Sequence, residues 1–413
     1  MPRGPATDGG GWPLNLLFIS NVYPNPVQPG KGVFNRRMVE SLRALGHRVG
    51  VVCPVAWTDA WRKRPTAAAP AANVPADDAF HRYPSYYFTP RLFRSLYGAF
   101  MWQSIKGTVR ALSEQLQPDA VMGYWAHPDG RCAIEAARLA GVPSIVMTGG
   151  SDVLLLTRSA SRRRLVEGVM RDATAVIAVS EDLKTQLVDL GISPEKIGVI
   201  RRGVDANAFY PASRNESRNA LGLRHETPIA VWVGRLTPVK GVAVLLEAAA
   251  LLAAQQINFQ LCLIGSGELA SALKAESARL GLEQHVHFVG PVNHVATLAN
   301  WYRAANVTVL PSLSEGIPNV LLESKACGTP FVASRVGGIP EIADEGVDRL
   351  VPPGDANALA AALLEAFAHP ADVEAMSSPK SLSDAAGDLS ALIEGTLSAR
   401  PRLETLSLRS QDR

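Results

Sequence analysis

The chain has 413 residues, a length that exceeds what one hydrophobic core usually serves and that predicts two domains. Apolar residues make up 47% and charged residues 19%, and glycine and proline form no repeat, so the composition excludes extensive disorder. The net charge of +3 excludes the dense basic face of a nucleic-acid-binding protein, although short basic runs occur at 62–64 and 162–164.

The cysteines indicate a reducing compartment. Cys53, Cys132, Cys262 and Cys327 are scattered without the spacing of metal ligands and are typical of small core residues. Residues 1–11 lack the apolar core of a signal peptide, and no stretch approaches about 18 uninterrupted apolar residues. We therefore expect a cytoplasmic protein, either free or associated with a membrane surface.

Buried strands and helices alternate along the first half. Apolar runs predict strands at 14–20, 48–54, 119–123, 142–148, 175–180 and 196–200. Periodic segments predict helices at 33–45, 93–116, 131–140 and 181–190. This alternation is typical of an α/β domain with a parallel sheet.

Loops that follow these strands carry candidate site residues. Gly30 and Gly32 precede a helix, where they form either a flexible turn or a backbone that offers amides to phosphate. His127 lies where the strand 119–123 ends, and such strand ends bind ligands in open sheets. Asp152 follows the strand 142–148, either as an acceptor contact or as a helix N-cap.

The stretch before the helix 93–116 leaves two interpretations open. Residues 57–92 show no sustained period and have the composition of a long insertion. The helix carries an apolar stripe, which usually faces a core. The alternative is an interfacial or acceptor-lining surface, because aromatic and basic residues lie together there. These residues are Tyr83, Tyr86, Tyr87, Phe88, Arg91 and Arg94.

The second half repeats the alternation of strands and helices. Strands are predicted at 229–233, 259–264, 286–290, 307–310 and 331–334, with helices at 213–221, 242–254, 294–304, 319–327 and 356–368. We predict a first domain at 1–202, a linker at 203–211 and a second domain at 212–378. Residues 379–413 then form a helix that crosses back to the first domain, followed by a tail.

The loop after the strand 229–233 carries two cations. Arg235 and Lys240 are five residues apart on a turn that leads into a helix, an arrangement that predicts an anion clamp. Further along, Gly267 belongs to a glycine-rich turn that is either a tight turn or a nucleotide contact.

A strand, a loop and a helix at 307–327 form the most informative stretch. Pro318 and Asn319 suit the first positions of a helix, so the amides of Asn319, Val320 and Leu321 would lack intrahelical partners and could bind phosphate. Glu315 and Glu323 flank this anion site, and carboxylates there suit hydroxyl groups. A nucleotide sugar, with a sugar ring on each side of its diphosphate, would use both features.

These motifs resemble those of retaining GT-B glycosyltransferases of family 4. The segment Glu315 to Glu323 is similar to the family's E-x7-E motif, and residues 234–241 are similar to its G-R-x-x-x-x-K-G segment. The resemblance implies two Rossmann-like parallel-sheet domains facing each other across a cleft, with the domain at 1–202 binding the acceptor and the domain at 212–378 binding the donor. It also implies metal-independent transfer of a sugar from a UDP- or GDP-sugar to an acceptor hydroxyl, without a further cofactor.

The resemblance also assigns roles. Arg235 and Lys240 would hold the diphosphate, Glu323 the ribose and Glu315 the sugar, while His127 would contact the transferred sugar, which makes Glu315, His127, Arg235 and Lys240 the catalytic candidates. The expected donor-binding residues are Gly30, Gly32, Gly234, Arg235, Lys240, Gly267, Glu315, Gly316, Ile317, Pro318, Asn319, Val320, Leu321 and Glu323. The expected acceptor-side residues are Tyr124, Ser151 and Asp152.

The expected pathway is the biosynthesis of a cell-surface polysaccharide, such as teichuronic acid, a capsule or an exopolysaccharide. The acceptor would be a saccharide or a lipid-linked saccharide, and the basic aromatic segment offers a peripheral contact with the inner membrane surface. One alternative is a hydrolase that uses Glu315 and Glu323 as its carboxylate pair, but that reaction would not need the cations of the loop at 234–241. A catalytically impaired protein that binds sugar or lipid in a polysaccharide assembly is the other alternative, since the segment 370–380 is shorter than is usual in the family.

Overall fold

The computed structural model describes residues 12–62, 79–90, 92–369 and 373–399. Contacts among its residues divide the chain into two compact units. Unit 1 comprises Met1–Met147, Val169–Val176 and Gly387–Arg413, and unit 2 comprises Thr148–Gly168 and Ile177–Ala386. The domain boundaries inferred from the sequence stay a prediction.

The first half of the chain alternates strands and helices as the sequence predicts. Its strands are β1 (Asn15–Ile19), β2 (Arg48–Val52), β3 (Val55–Ala56), β4 (His81–Arg82), β5 (Ser85–Tyr86), β6 (Ala120–Tyr124), β7 (Ser144–Met147), β8 (Ala175–Ala178) and β9 (Ile197–Val199). Its helices are α1 (Val33–Ala44), α2 (Trp57–Arg62), α3 (Tyr97–Leu116), α4 (Arg131–Ala140), α5 (Ser151–Leu154), α6 (Ala160–Asp172) and α7 (Glu181–Asp189).

The second half continues the same pattern. Its strands are β10 (Ile229–Arg235), β11 (Gln260–Ser266), β12 (Val286–Gly290), β13 (Val307–Leu310), β14 (Phe331–Ser334) and β15 (Arg349–Val351). Its helices are α8 (Arg214–Leu221), α9 (Val242–Ala254), α10 (Ala270–Arg279), α11 (Val295–Ala304), α12 (Asn319–Ala326), α13 (Ala356–Ala368) and α14 (Leu382–Ser398).

The strands of the described residues form two larger sheets. The first has the order β4-β2-β1-β6-β7-β8-β9, in which β1 pairs in parallel with β2 and β6. The second has the order β12-β11-β10-β13-β14-β15, and each of its pairings is parallel. The crossovers through helices give each sheet the doubly wound pattern of a Rossmann-like domain.

Each sheet is covered by apolar helices, which explains the near-continuous apolar strands. In unit 1, α3 places Met101, Ile105 and Val109 against β1, and all three side chains are fully buried. In unit 2, α9 and α13 bury leucines against β10 and β13. A parallel sheet needs such cover on both faces. Across the described residues, no helix combines the length and apolar character that crossing a bilayer requires.

Two predictions for the region between residues 57 and 97 differ from the structure. The helix expected to start at residue 93 begins at Tyr97, because Phe93 has a left-handed φ of 50° and a short 3-10 turn follows it. The insertion expected at 57–92 contains α2, β4 and β5, which are too short to show a period in the sequence. Within this insertion, residues 63–78 and Arg91 lie outside the described residues.

A buried histidine ties α14 to the first sheet within unit 1. His47 accepts a hydrogen bond from the Leu14 amide on Nδ1 at 3.1 Å, and its Nε2 lies 2.9 Å from Ser390 Oγ. Burial lowers the pKa of His47 below its usual value, against a smaller opposing effect of Glu394. The neutral imidazole is therefore part of the folded state.

We expect the free energy of unfolding to fall as the pH drops below about 6.5, because the unfolded chain then binds a proton that the buried His47 excludes. One such group contributes a slope of at most about 1.4 kcal/mol per pH unit. His47→Gln should make the pH dependence of the melting temperature shallower. His287→Gln, at an exposed position, is the matched control and should show the same pH dependence of the melting temperature as the wild type. Equal pH dependence in the wild type and His47→Gln would contradict this.

Candidate functional site

The predicted cationic loop of unit 2 connects β10 to α9. β10 ends at Arg235, a 3-10 turn spans Pro238–Lys240, and Val242 begins α9. The Lys240 ammonium donates to Glu315 Oε1 at 2.5 Å. Their side chains are 24% and 10% exposed, so the ion pair is only partly screened by water. The structure thus brings together two residues that are 75 positions apart and that the sequence assigned to one site.

Glu315 lies on the loop between β13 and α12. The Leu313 amide donates to Val239 O at 2.8 Å, which holds this loop against the cationic loop through the backbone. Ile317 and Pro318 are buried, so at these positions only backbone groups could meet a ligand. The contact between Lys240 and Glu315 therefore rests on a fixed backbone frame.

The start of α12 has the features of an anion site. Pro318 is its N-cap, no side chain caps the helix, and its first turn has no acidic residue. Within the described residues, no acceptor is seen for the amides of Asn319 and Val320. The Leu321 amide, however, donates to Pro318 O at 3.2 Å, so the prediction that it lacks an intrahelical partner is wrong. Two amides remain at the positive end of the helix dipole.

The start of α7, also in unit 2, shows the opposite arrangement. Ser180 Oγ accepts from the Leu183 amide at 3.1 Å, and the Glu341 carboxylate accepts from the amides of Glu181 and Asp182 at 3.0 and 2.9 Å. Arg201 donates to the same carboxylate at 3.2 Å. These first amides of α7 are satisfied by protein groups, whereas two at the start of α12 are not.

Two residues that sequence reasoning missed contact the predicted site. Arg202 Nη1 donates to Asn319 Oδ1 at 3.3 Å, which adds a cation at the start of α12. The hydroxyl of the fully buried Tyr302 donates to Glu323 Oε2 at 3.0 Å, and burial followed by the charge of Glu323 raises the pKa of Tyr302. Arg202 lies at the end of the first predicted domain and belongs to none of the motifs described above. Tyr302 lies on a helix and gave no signal.

The loop after β7 contacts the Glu315 loop within unit 2. A Cβ added at Gly150 would lie 2.9 Å from the Gly316 amide nitrogen, so the two backbones leave no room for a side chain. Gly338 donates to Gly316 O at 3.0 Å from the other side. Gly316 is thereby held between two loops.

Asp152 fixes the turn that carries Gly150. Its Oδ1 accepts from the amides of Gly149 and Gly150 at 3.0 Å each, and the residue is fully buried. The N-cap of α5 is Gly150, so the alternative that Asp152 is itself the N-cap is wrong. Ser151 is exposed. The acceptor-side roles of Ser151 and Asp152 stay predictions.

Four of the predicted site residues, His127, Tyr124, Gly32 and Gly30, lie in unit 1. His127 follows β6, and burial, with a smaller effect of Arg131, lowers its pKa to about 4. Tyr124 is buried, with its ring 5.2 Å from that of Phe34. Gly32 is the N-cap of α1 and packs against the backbone of Val22, whereas Gly30 is exposed.

The remaining predicted residues lie at the ends of β10 and β11. Arg235 is exposed and has no ion pair among the described residues, so it is available to an external anion. Gly234 lies in β10 and Gly267 directly follows β11. The ends of these two strands are joined where the Leu236 amide donates to Ser266 O at 3.0 Å. The structure gives no contact of Arg235 with Glu315.

Comparison with known proteins gives the family. The model of the family described as Glycosyl transferases group 1 matches residues 213–382, and that of Glycosyltransferase Family 4 matches residues 30–208. The chain belongs to glycosyltransferase family 4. This family 4 enzyme is therefore a transferase of glycosyl groups, and the recognition made from the sequence is confirmed.

The family 4 chain is similar to curated relatives from bacteria. It is 28% identical over 369 residues, 85% of this chain and 88% of the relative, to a protein of Bacillus subtilis named as the teichuronic acid biosynthesis glycosyltransferase TuaC. It is 37% identical to a D-inositol 3-phosphate glycosyltransferase of Kribbella flavida over 46% of each chain. The chain thus spans about half the length of the second relative.

Solved structures share the fold of the family 4 chain. HepE of Anabaena, in complex with UDP and glucose, has a TM-score of 0.67 at 20% identity, covering 93% of this chain and 97% of that one. Sucrose-phosphate synthase of Thermosynechococcus elongatus has a TM-score of 0.70 at 22% identity, with coverage of 93% and 96%. These likenesses show the α/β GT-B fold with two Rossmann-like domains, as predicted.

Two glycines of unit 2 provide a matched test of the frame around Lys240. Gly241 and Gly222 have nearly equal φ values of 64° and 67°, but a Cβ would meet the Pro311 carbonyl oxygen at Gly241 and open space at Gly222. Gly222→Ala should cost about 1 kcal/mol of stability from the left-handed backbone. Gly241→Ala should cost about 1–3 kcal/mol more, because Pro311 must move. Thermal unfolding of both variants measures the difference, and equal losses would contradict the observed contact.

Proposed function

We propose that this glycosyltransferase moves a sugar, with retention of anomeric configuration, from a nucleotide-diphosphate sugar to an acceptor hydroxyl in the biosynthesis of a cell-surface polysaccharide. The observation that carries the proposal is the Lys240–Glu315 ion pair of 2.5 Å on the loop that leads into α12. The pair places a cation, a carboxylate and the positive end of a helix at one locus of unit 2. A sugar diphosphate needs these three groups together.

The ion pair explains how a carboxylate can lie beside a phosphate site. An unneutralised Glu315 would repel the donor's diphosphate, and at partly buried positions such repulsion is costly. Lys240 neutralises Glu315 and keeps further N–H groups for a phosphate oxygen. Glu315 then keeps an oxygen for the hydroxyls of the transferred sugar, while Glu323, oriented by Tyr302, accepts from the ribose.

The developing charge of the reaction lies on the departing diphosphate. Fixed positive groups stabilise such charge because they need no reorganisation during the reaction. Arg235, Lys240 and the amides of Asn319 and Val320 are suited to this role. Since they supply the charge that a divalent ion would otherwise provide, we propose a metal-independent reaction without a resident cofactor.

His127 suits contact with a sugar hydroxyl as a neutral group. Its pKa of about 4 leaves the imidazole uncharged near pH 7, so it can accept or donate one hydrogen bond without adding charge. In this proposal the acceptor hydroxyl attacks from the face of the leaving group, with Ser151, Asp152 and Tyr124 on the acceptor side. Gly30 and Gly32 contribute backbone near the donor phosphates.

The similar proteins support a proposal for the acceptor class. The relative with 88% coverage is named for teichuronic acid biosynthesis, which supports a saccharide or lipid-linked saccharide acceptor. A UDP-sugar is a suitable first donor to test, because the similar structure of HepE contains UDP and glucose. The lipid-linked form of the acceptor would bring the enzyme to a membrane surface from the cytoplasmic side.

Donor binding should raise the melting temperature. A UDP- or GDP-sugar at about 100 times its dissociation constant should stabilise the folded chain by about 2.7 kcal/mol. Lys240→Ala and Glu323→Ala should each abolish the shift, because one leaves Glu315 unneutralised and the other removes the ribose acceptor. A panel of nucleotide sugars in a thermal shift assay measures this effect.

The matched control is Glu247→Ala on α9, which removes an exposed carboxylate of unit 2. It should keep the full shift with the best donor. If Lys240→Ala and Glu323→Ala also keep the full shift, the site assignment is wrong.

Release of nucleoside diphosphate should depend on an acceptor. With donor alone, the enzyme should release nucleoside diphosphate slowly, and addition of a saccharide acceptor should accelerate release at least tenfold. Removal of one cation that stabilises developing charge typically costs about 10²–10³ in rate. We therefore expect Arg235→Ala to lower the accelerated rate by about this factor. A catalytically impaired binder would release none under either condition, and that result would contradict the proposed transfer.

A further inference from the structure

A group of large apolar side chains is exposed just before α3. Tyr87, Leu92, Phe93 and Leu96 are 64%, 59%, 64% and 46% exposed. They surround Arg94 in the sequence, which is exposed as well. We call these five residues the apolar-basic surface. Single exposed apolar residues are ordinary, but four within ten positions of one segment are a candidate contact surface.

The charged residues of the segment that carries this surface are all basic. Between Asp78 and Glu114 the sequence has no acidic residue, although it contains several arginines and a lysine. Arg94, Lys106 and Arg110 are exposed, and none has an ion pair among the residues that the structure describes. These cations are therefore available to an anionic partner.

The apolar-basic surface is held on a folded base. The Tyr97 hydroxyl donates to Thr89 O at 2.9 Å, and its ring lies 4.8 Å from that of Phe88. Trp57 Nε1 donates to Phe88 O at 2.9 Å, which attaches the segment to α2. The Tyr87 amide donates to Ser104 Oγ at 3.2 Å, which attaches it to α3. The exposure is thus a property of an anchored segment.

The backbone at Phe93 adds an independent observation. Its φ of 50° and ψ of 39° are left-handed, which costs a bulky residue about 1–2 kcal/mol. Such a conformation persists where the surrounding structure holds the backbone, and here the side chain of Phe93 is 64% exposed. Strained conformations of this kind concentrate at binding sites.

We propose that the apolar-basic surface docks this enzyme on a bilayer that carries anionic lipid. Apolar side chains beside unpaired cations are the combination that an anionic interface attracts, because the rings and aliphatic chains enter the acyl boundary while the cations meet the headgroups. A second copy of the chain would present the same positive charge and be repelled. The biological reason rests on the proposed lipid-linked acceptor, but the docking itself does not require transfer.

The test is cosedimentation of the full chain with vesicles of phosphatidylcholine alone or mixed with phosphatidylglycerol. The wild type should bind the mixed vesicles, and added salt should weaken the binding. Arg94→Gln should weaken it about fivefold, the effect of about 1 kcal/mol for one cation near the surface. The double variant Leu92→Ser/Phe93→Ser should weaken it at least tenfold, because two apolar side chains no longer enter the interface.

Matched controls separate docking from folding and from catalysis. Leu139→Ser, at a position of unit 1 that is 43% exposed, and Arg224→Gln, at an exposed position of unit 2, should bind vesicles as the wild type does. All variants should keep the melting temperature of the wild type and its transfer to a water-soluble acceptor. If transfer is absent while vesicle binding follows this pattern, the proposed function fails and the docking surface stands.

Three results would overturn the proposal. The first is no binding to mixed vesicles, and the second is equal binding by the double variant and the wild type. The third is a dimer in sedimentation without lipid that Leu92→Ser/Phe93→Ser dissociates, which would assign the surface to a second copy of the chain.

Discussion

The ion pair between Lys240 and Glu315 is the interaction on which the candidate site depends. It neutralises a carboxylate next to a helix start that would otherwise bind anions less well, and it lets sugar-binding and phosphate-binding groups share one locus. The backbone bond from Leu313 to Val239 and the contact between Gly316 and Gly150 fix the carboxylate on one side. Removing either charge would leave the other partly buried and unpaired, which usually costs more than the pair contributes.

The fold could be predicted from the sequence to a large extent. Buried parallel strands are continuous apolar runs, so each predicted strand of the two large sheets corresponds to an observed one, and most helices between them follow from their period. The sequence did not predict α10 or the edge strand β15. What failed was local. β4 and β5 have two residues each, which is too few for an alternation of apolar and polar residues to be recognised. The start of α3 depends on the left-handed backbone of Phe93, a conformation that sequence propensities do not indicate for phenylalanine.

The site could be predicted where motifs encode chemistry and not where tertiary contacts supply it. Glu315 and Lys240 carried a recognisable spacing, and the structure joins them. Tyr302 and Glu341 did not, since a buried tyrosine on a helix and a glutamate on a loop look ordinary until the fold brings their partners. For the Leu321 amide, the general rule that the first amides of a helix lack intrahelical partners gave a wrong prediction, because this amide donates to the Pro318 carbonyl oxygen.

The carboxylate of Glu341 has a consequence for how the chain can be divided. It occupies the start of α7 from a position 160 residues away, together with Arg201. An isolated fragment that ends before Glu341 would leave the amides of Glu181 and Asp182 to water and would lose the partner of Arg201. Separately expressed halves of this enzyme would therefore be less stable than the joined chain, and closing so long a loop makes the two sequence halves interdependent during folding.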